Sequence, residues 1–117
     1  MTADDFATSV ERLLKQVGHW EQSRWSAPVS AATRPSIEAV GPVDGAARAD
    51  VVHALVQHLA DLAAAAEGGP RRRVPRVGDL TLPDQLRVMA DDLVAAGAAE
   101  EALKLATEEV NAVRRAL

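Results

Sequence analysis

The chain has 117 residues, no cysteine, and 17 acidic against 13 basic side chains, for a formal net charge of −4. That length suits one domain able to bury about 65% of its unfolded surface without staples. The absence of thiols excludes disulfides and thiolate metal sites. Only Phe6, Trp20 and Trp25 are aromatic and alanine is abundant, which favours helices over a β-sandwich or barrel.

The N-terminal stretch MTADDFATSVER is acidic and lacks an apolar h-region, so no secretory signal is expected. The longest apolar-looking run, LADLAAAAEGG, carries Asp61 and Glu67 and is too short to span a membrane. A cytoplasmic location is the expectation. Thr2 and Asp5 have capping-box spacing. Phe6, Val10, Leu13, Val17 and Trp20 then form one stripe, which predicts a first helix over about 3–24.

Residues 26–43 break the pattern with prolines at 28, 35 and 42. Unstructured connections longer than about 15 residues are uncommon inside compact domains. This one reads as an extended strap that lays Val29, Ile37 and Val40 on the bundle, or else as a mobile insertion. Asp44 is the expected N-cap of a second helix over 45–66. Val52, Leu55, Leu59, Leu62 and Ala66 form its stripe, and Val51, Val56 and Ala63 widen it, so this helix should be the most buried. Gly68, Gly69 and Pro70 stop it.

A third helix, over 82–96, is expected to start at Thr81, with Pro83 in its first turn and Asp84 at the capping-box position. Leu82, Leu86, Met89, Leu93 and Ala96 form its stripe. A fourth, over 99–116, carries Ala99, Leu103, Ala106, Val110, Val113 and Leu117. One apolar line runs through Gly97 in register while the other slips, which favours a turn there over one long kinked helix. Together these stripes predict an all-α single domain. Its expected form is a four-helix bundle, up-down-up-down by default, with a long Pro-containing connection between the first two helices.

The connector over 68–79 holds Arg71, Arg72, Arg73 and Arg76, four arginines within six residues. The whole chain has 11 Arg and 2 Lys, an excess that matches the codon bias of GC-rich bacteria. Phosphate binding needs several cations along a backbone, and recognition adds a reading helix or stacking aromatics. Neither accompanies this stretch, and outside 68–79 the chain carries 16 acidic against 9 basic side chains. The connector is therefore expected to sit among Asp4, Asp5, Glu67 and Asp84 in solvated pairs. Nucleic-acid binding through Arg71–Arg76 ranks last.

No enzyme signature emerges. His53 and His58 lie five apart, about 140° around a helix, and cannot grip one ion together. Asp50 and His53 have the spacing found in carboxylate-bridged bundles, but no second copy exists. The pairs Asp91–Asp92, Glu100–Glu101 and Glu108–Glu109 read as solvated faces. The serines have no evident base, and EGGPRRR lacks the spacing of a phosphate loop. No catalytic residue, cofactor or metal is expected. Trp20 continues the core stripe. Trp25, about 140° away, either covers a second apolar seam or, with Arg24, forms an exposed anchor of an interface.

The leading expectation is a small non-enzymatic helical protein acting through self-association or contact with another protein. The alternative is a small-molecule-binding bundle with a pocket under residues 26–43. Contact residues on either view are Trp20, Arg24, Trp25, Arg71, Arg72, Arg73 and Arg76.

Overall fold

A computed structural model describes residues 2–29 and 46–117. Its helices are α1 (Thr2–Val17), the short α2 (Gln22–Ser26), α3 (Arg48–Glu67), α4 (Leu82–Ala95) and α5 (Glu100–Ala116). A single 3-10 turn, Asp79–Thr81, leads into α4. The described residues are all-α, and none of their helices is long and apolar enough to cross a membrane.

The stripes read from the sequence make the core. Phe6, Val10, Leu13 and Val17 of α1 are buried with Val52, Leu55 and Leu59 of α3, Leu82, Leu86 and Leu93 of α4, and Leu103, Ala106, Val110 and Val113 of α5. The first helix stops earlier than expected. The Gly18 amide donates to the Leu14 carbonyl at 2.8 Å, the helix then opens, and the chain re-enters helix at Gln22. A Cβ at position 18 would lie 2.7 Å from that carbonyl oxygen, so the exit from α1 requires glycine.

Helix α3 ends at Gly68 in the left-handed region (φ 72°). The Gly69 amide donates to Ala64 and the Gly68 amide to Ala65, a Schellman closure. Gly97 (φ 70°) lies between α4 and α5, so the expected break is a real turn. Two expected caps act otherwise. The Thr2 hydroxyl donates to Glu100 at 2.8 Å, and the Thr81 hydroxyl donates to the Gly78 carbonyl at 2.6 Å. Asp44 lies outside the described residues, and Ala47 stands at the N-cap of α3.

The main helix pairs are α1 with α5 and α3 with α4; α1 also meets α4, and α3 meets α5. Both main pairs are parallel. Thr2 bonds Glu100 where α1 and α5 begin, and Gln16 bonds the Arg114 carbonyl near their ends. The connector after α3 does not turn back at once. It runs down the flank of α3, with Arg72 and Val74 at Gln57, Val74 at His53, and Arg76 at Asp50. Helix α4 therefore starts at the same end as α3.

The order is up-down-down-up, not the expected up-down-up-down. Length permits this, and the bonds from Gln57, His53 and Gln85 to the connector backbone fix it. Twelve extended residues reach roughly 40 Å, whereas a twenty-residue helix is about 30 Å long, so the connector can retrace all of α3.

The long connection between α1 and α3 is tied at its base. The Val29 amide donates to Ala46 (2.8 Å) and the Arg48 amide to Ala27 (2.9 Å), around an antiparallel bridge of Pro28 with Ala47. Val29 is buried. The remainder of that expected strap, with Ile37, Val40 and the ligand pocket beneath it, lies outside the described residues.

Candidate functional site

The sequence-predicted contact residues separate into two groups. Trp20, Arg24 and Trp25 gather where α1, α2 and α3 meet. The Trp20 and Trp25 rings are 5.0 Å apart and nearly perpendicular, an edge-to-face pair. The Arg24 and Arg48 guanidinium carbons lie 5.3 and 5.8 Å from the Trp20 centroid, within cation–π range. Trp25 is 0% exposed and Trp20 8%. Trp25 thus seals the second seam, and the exposed-anchor reading of it is overturned. The broken first helix explains this, because α2 folds back and directs Trp25 inward.

The arginines form the second group, and the connector carrying them is the strap of this molecule. Gln57, one turn from both His53 and Asp61 on α3, clamps it. Its Nε2 donates to the Arg72 carbonyl (2.9 Å) and to Asp61 Oδ1 (3.0 Å), and its Oε1 accepts from the Val74 amide (2.8 Å). His53 Nε2 lies 3.2 Å from the Val74 carbonyl, and Gln85 of α4 donates to the Pro75 carbonyl at 2.9 Å. A side chain thereby satisfies backbone groups that a sheet partner would otherwise take. Between these clamps Val74 is buried.

Arg76 pairs with Asp50 (2.9 Å) and Asp79 (3.3 Å), and Asp79 also accepts from Gln22 of α2 (2.7 Å). The expected pairing with Asp4, Asp5, Glu67 and Asp84 does not form, because the connector follows α3 instead of closing one end of the bundle. Arg71, Arg72 and Arg73 are exposed and their side chains make no ion pair with any described residue. Asp50 and His53, which have metal-ligand spacing, are engaged by Arg76 and by the Val74 carbonyl.

Replacing Gln57 with alanine is expected to cost about 1–3 kcal/mol, since it leaves strap backbone groups unpaired. Trypsin cleavage after Arg71–Arg73 should then accelerate, and the Val74 amide should lose protection from hydrogen exchange. Unchanged cleavage would mean that Val74 burial alone holds the strap.

One buried pair is not evident from residue type in the sequence. Glu109 of α5, expected on a solvated face, is 1% exposed, and its Oε2 meets Nδ1 of His58 on α3. Burial holds the Glu109 carboxyl above the ordinary carboxylate range; the His58 ring opposes that shift and Glu108 adds to it. A signal was present. Position 109 lies three after Ala106 and four before Val113, on the apolar stripe of its helix.

His58 lines a groove of about 390 Å³ with Ala54, Gln57, Asp61, Leu62, Ala65 and Arg71. A second groove of about 510 Å³ lies across the strap, between Ala60, Ala63 and Ala64 of α3 and Met89 and Asp92 of α4. No family model, curated protein or solved structure matches this chain.

Proposed function

We propose that the protein is a non-enzymatic association module whose contact surface is the clamped strap and the shoulder that follows it, and that its partner is a second copy of the chain. One observation carries this reading. Val77 and Leu80 are 69% and 60% exposed immediately beyond a segment held by Gln57, His53 and Gln85. A surface ordered before binding loses little conformational freedom on association. Apolar side chains flanked by arginines are the composition that interface hot spots favour.

Charge supports self-recognition. Three arginines of the strap make no ion pair with any described residue, whereas the body outside 68–79 carries 16 acidic against 9 basic side chains. The strap of one copy is therefore complementary to the flank of another. With Trp25 buried, contact moves from that residue to Val77 and Leu80. Nucleic acid is a weaker reading than before, because Arg76 is committed to Asp50 and Asp79, leaving three cations and no stacking aromatic on the strap.

Light scattering over a dilution series at moderate salt tests the proposal. A mass of two chains is expected, falling to one chain when Val77 and Leu80 are both replaced by serine. A wild-type mass that stays at one chain up to millimolar concentration would end it.

A further inference from the structure

The groove beside the strap holds an arrangement that association does not need. Glu109 engages Nδ1 of His58 from the buried side. With that nitrogen committed, only Nε2 remains for the groove that His58 lines, and it makes no hydrogen bond to any described residue. A carboxylate behind an imidazole fixes the tautomer and the ring plane, which is how histidines are aimed at ligands. Arg71 lines the same groove, and Arg72 and Arg73 join it in the adjoining hollow with His53, Gln57 and Asp61.

We propose that His58 and Arg71 form a binding site for a small phosphate monoester, with Glu109 as the positioning residue for His58. Guanidinium groups favour an oxyanion, since their planar donors match two of its oxygens. The histidine narrows the class. Once Glu109 has released its proton, Nδ1–H is directed at the carboxylate and a neutral ring presents a lone pair at Nε2, which repels an oxyanion that has no proton. A phosphate monoester carries a proton with a pKa of about 6. It meets Nε2 either by donating its P–OH hydrogen or, after that proton has moved, by accepting Nε2–H. Sulfate has no such proton at neutral pH, and neither does a simple carboxylate.

Asp61 also lines the groove, with Oδ1 accepting from Gln57. It opposes any anion there and limits affinity. The groove, at about 390 Å³, exceeds the needs of a bare phosphate and accommodates a modest organic group against Ala54, Leu62 and Ala65.

The test titrates the full-length chain with phenyl phosphate and, separately, with sulfate, while NMR follows the His58 ring nitrogens. Saturable phenyl phosphate binding that moves the Nε2 resonance is expected, with sulfate weaker by about tenfold or more. Arg71→Ser is exposed and should fold normally. It should weaken phenyl phosphate by a similar factor, and Asp61→Asn should strengthen it. His58→Gln, paired with Glu109→Gln to avoid a lone buried carboxyl, should abolish the preference over sulfate.

Equal affinity for the two anions, or an unmoved His58 resonance, would overturn the site and leave only a cationic strap. Absence of saturable binding would also overturn it. Run also on the Val77→Ser, Leu80→Ser chain, which is expected to be monomeric, the titration leaves Arg71 uncovered by a second copy, so this test and the light-scattering test fail separately.

Discussion

At a pH where Glu109 is ionised in the wild type, replacing His58 with alanine is expected to destabilise the protein by about 3–5 kcal/mol, the cost of leaving a buried charge without its partner. For a domain of this size that lowers Tm by roughly 10–20 °C. The pair joins α3 to α5, and Glu109 has no other side-chain partner among the described residues. Burying an unpaired carboxylate costs more than losing a hydrogen bond, because the group also gives up its water. Replacing both residues with leucine should recover much of the loss, since buried ion pairs often yield to apolar packing at no net cost. If His58→Ala melts within a degree or two of wild type, water reaches Glu109 and the pair is not a structural link.

The same pair sets a pH dependence. The Glu109 carboxyl is held above its ordinary range, first by burial, so the native state keeps this proton at pH values where the unfolded chain has released it. Its contribution is therefore fully present below the unfolded value and declines as pH rises through the folded one. Glu109→Gln removes that titration. The variant should gain stability relative to wild type as pH is raised from the ordinary carboxylate range toward neutrality. Thermal melts at several pH values measure the difference, and a gap independent of pH would show that Glu109 titrates normally.

Trp25→Ala is the second large effect, at about 3–5 kcal/mol for deleting a fully buried indole. The ring is 0% exposed and packs edge-on against Trp20. Its loss leaves a cavity under α2 and frees Trp20, then the only indole, so tryptophan emission should shift to the red in the folded state. Trp25→Phe keeps an aromatic body and should cost much less. An interface anchor would behave oppositely, weakening association while leaving the monomer's melting temperature unchanged. The two roles separate in a single pair of measurements.

Much of the fold was legible because helix stripes depend on local periodicity. The apolar lines of α1, α3, α4 and α5 predicted the core, and the slipped register at Gly97 predicted the turn. What failed depended on contacts between distant residues. Gly18 lies inside an uninterrupted stripe from Phe6 to Trp20, and nothing local shows that the chain opens there and folds Trp25 inward. The connector over 68–79 is long enough either to turn or to retrace α3. Gln57, with His53 and Gln85, bonds strap backbone from neighbouring elements and decides between them, and bonds from side chain to backbone leave no pattern in composition.

The candidate site was half legible. The arginines stood out as a cluster, but their placement along α3 followed from the strap. Glu109 was hidden for another reason. Its neighbour Glu108 gives the pair the look of a solvated face, although position 109 continues the apolar stripe through Ala106 and Val113.

The parallel pairing of α1 with α5 has a consequence for biogenesis. The bonds Thr2–Glu100 and Gln16–Arg114 each join residues 98 positions apart, and α1 faces its main partner only when the last helix is available. A chain emerging from the ribosome, N-terminus first, presents the apolar side of α1 long before α5 exists. Contacts of such separation also slow folding, since the intervening chain must close before they form. Nascent α1 therefore waits with Phe6, Val10, Leu13 and Val17 uncovered, and a stalled or truncated chain that ends before α5 is a natural client for chaperones and proteases.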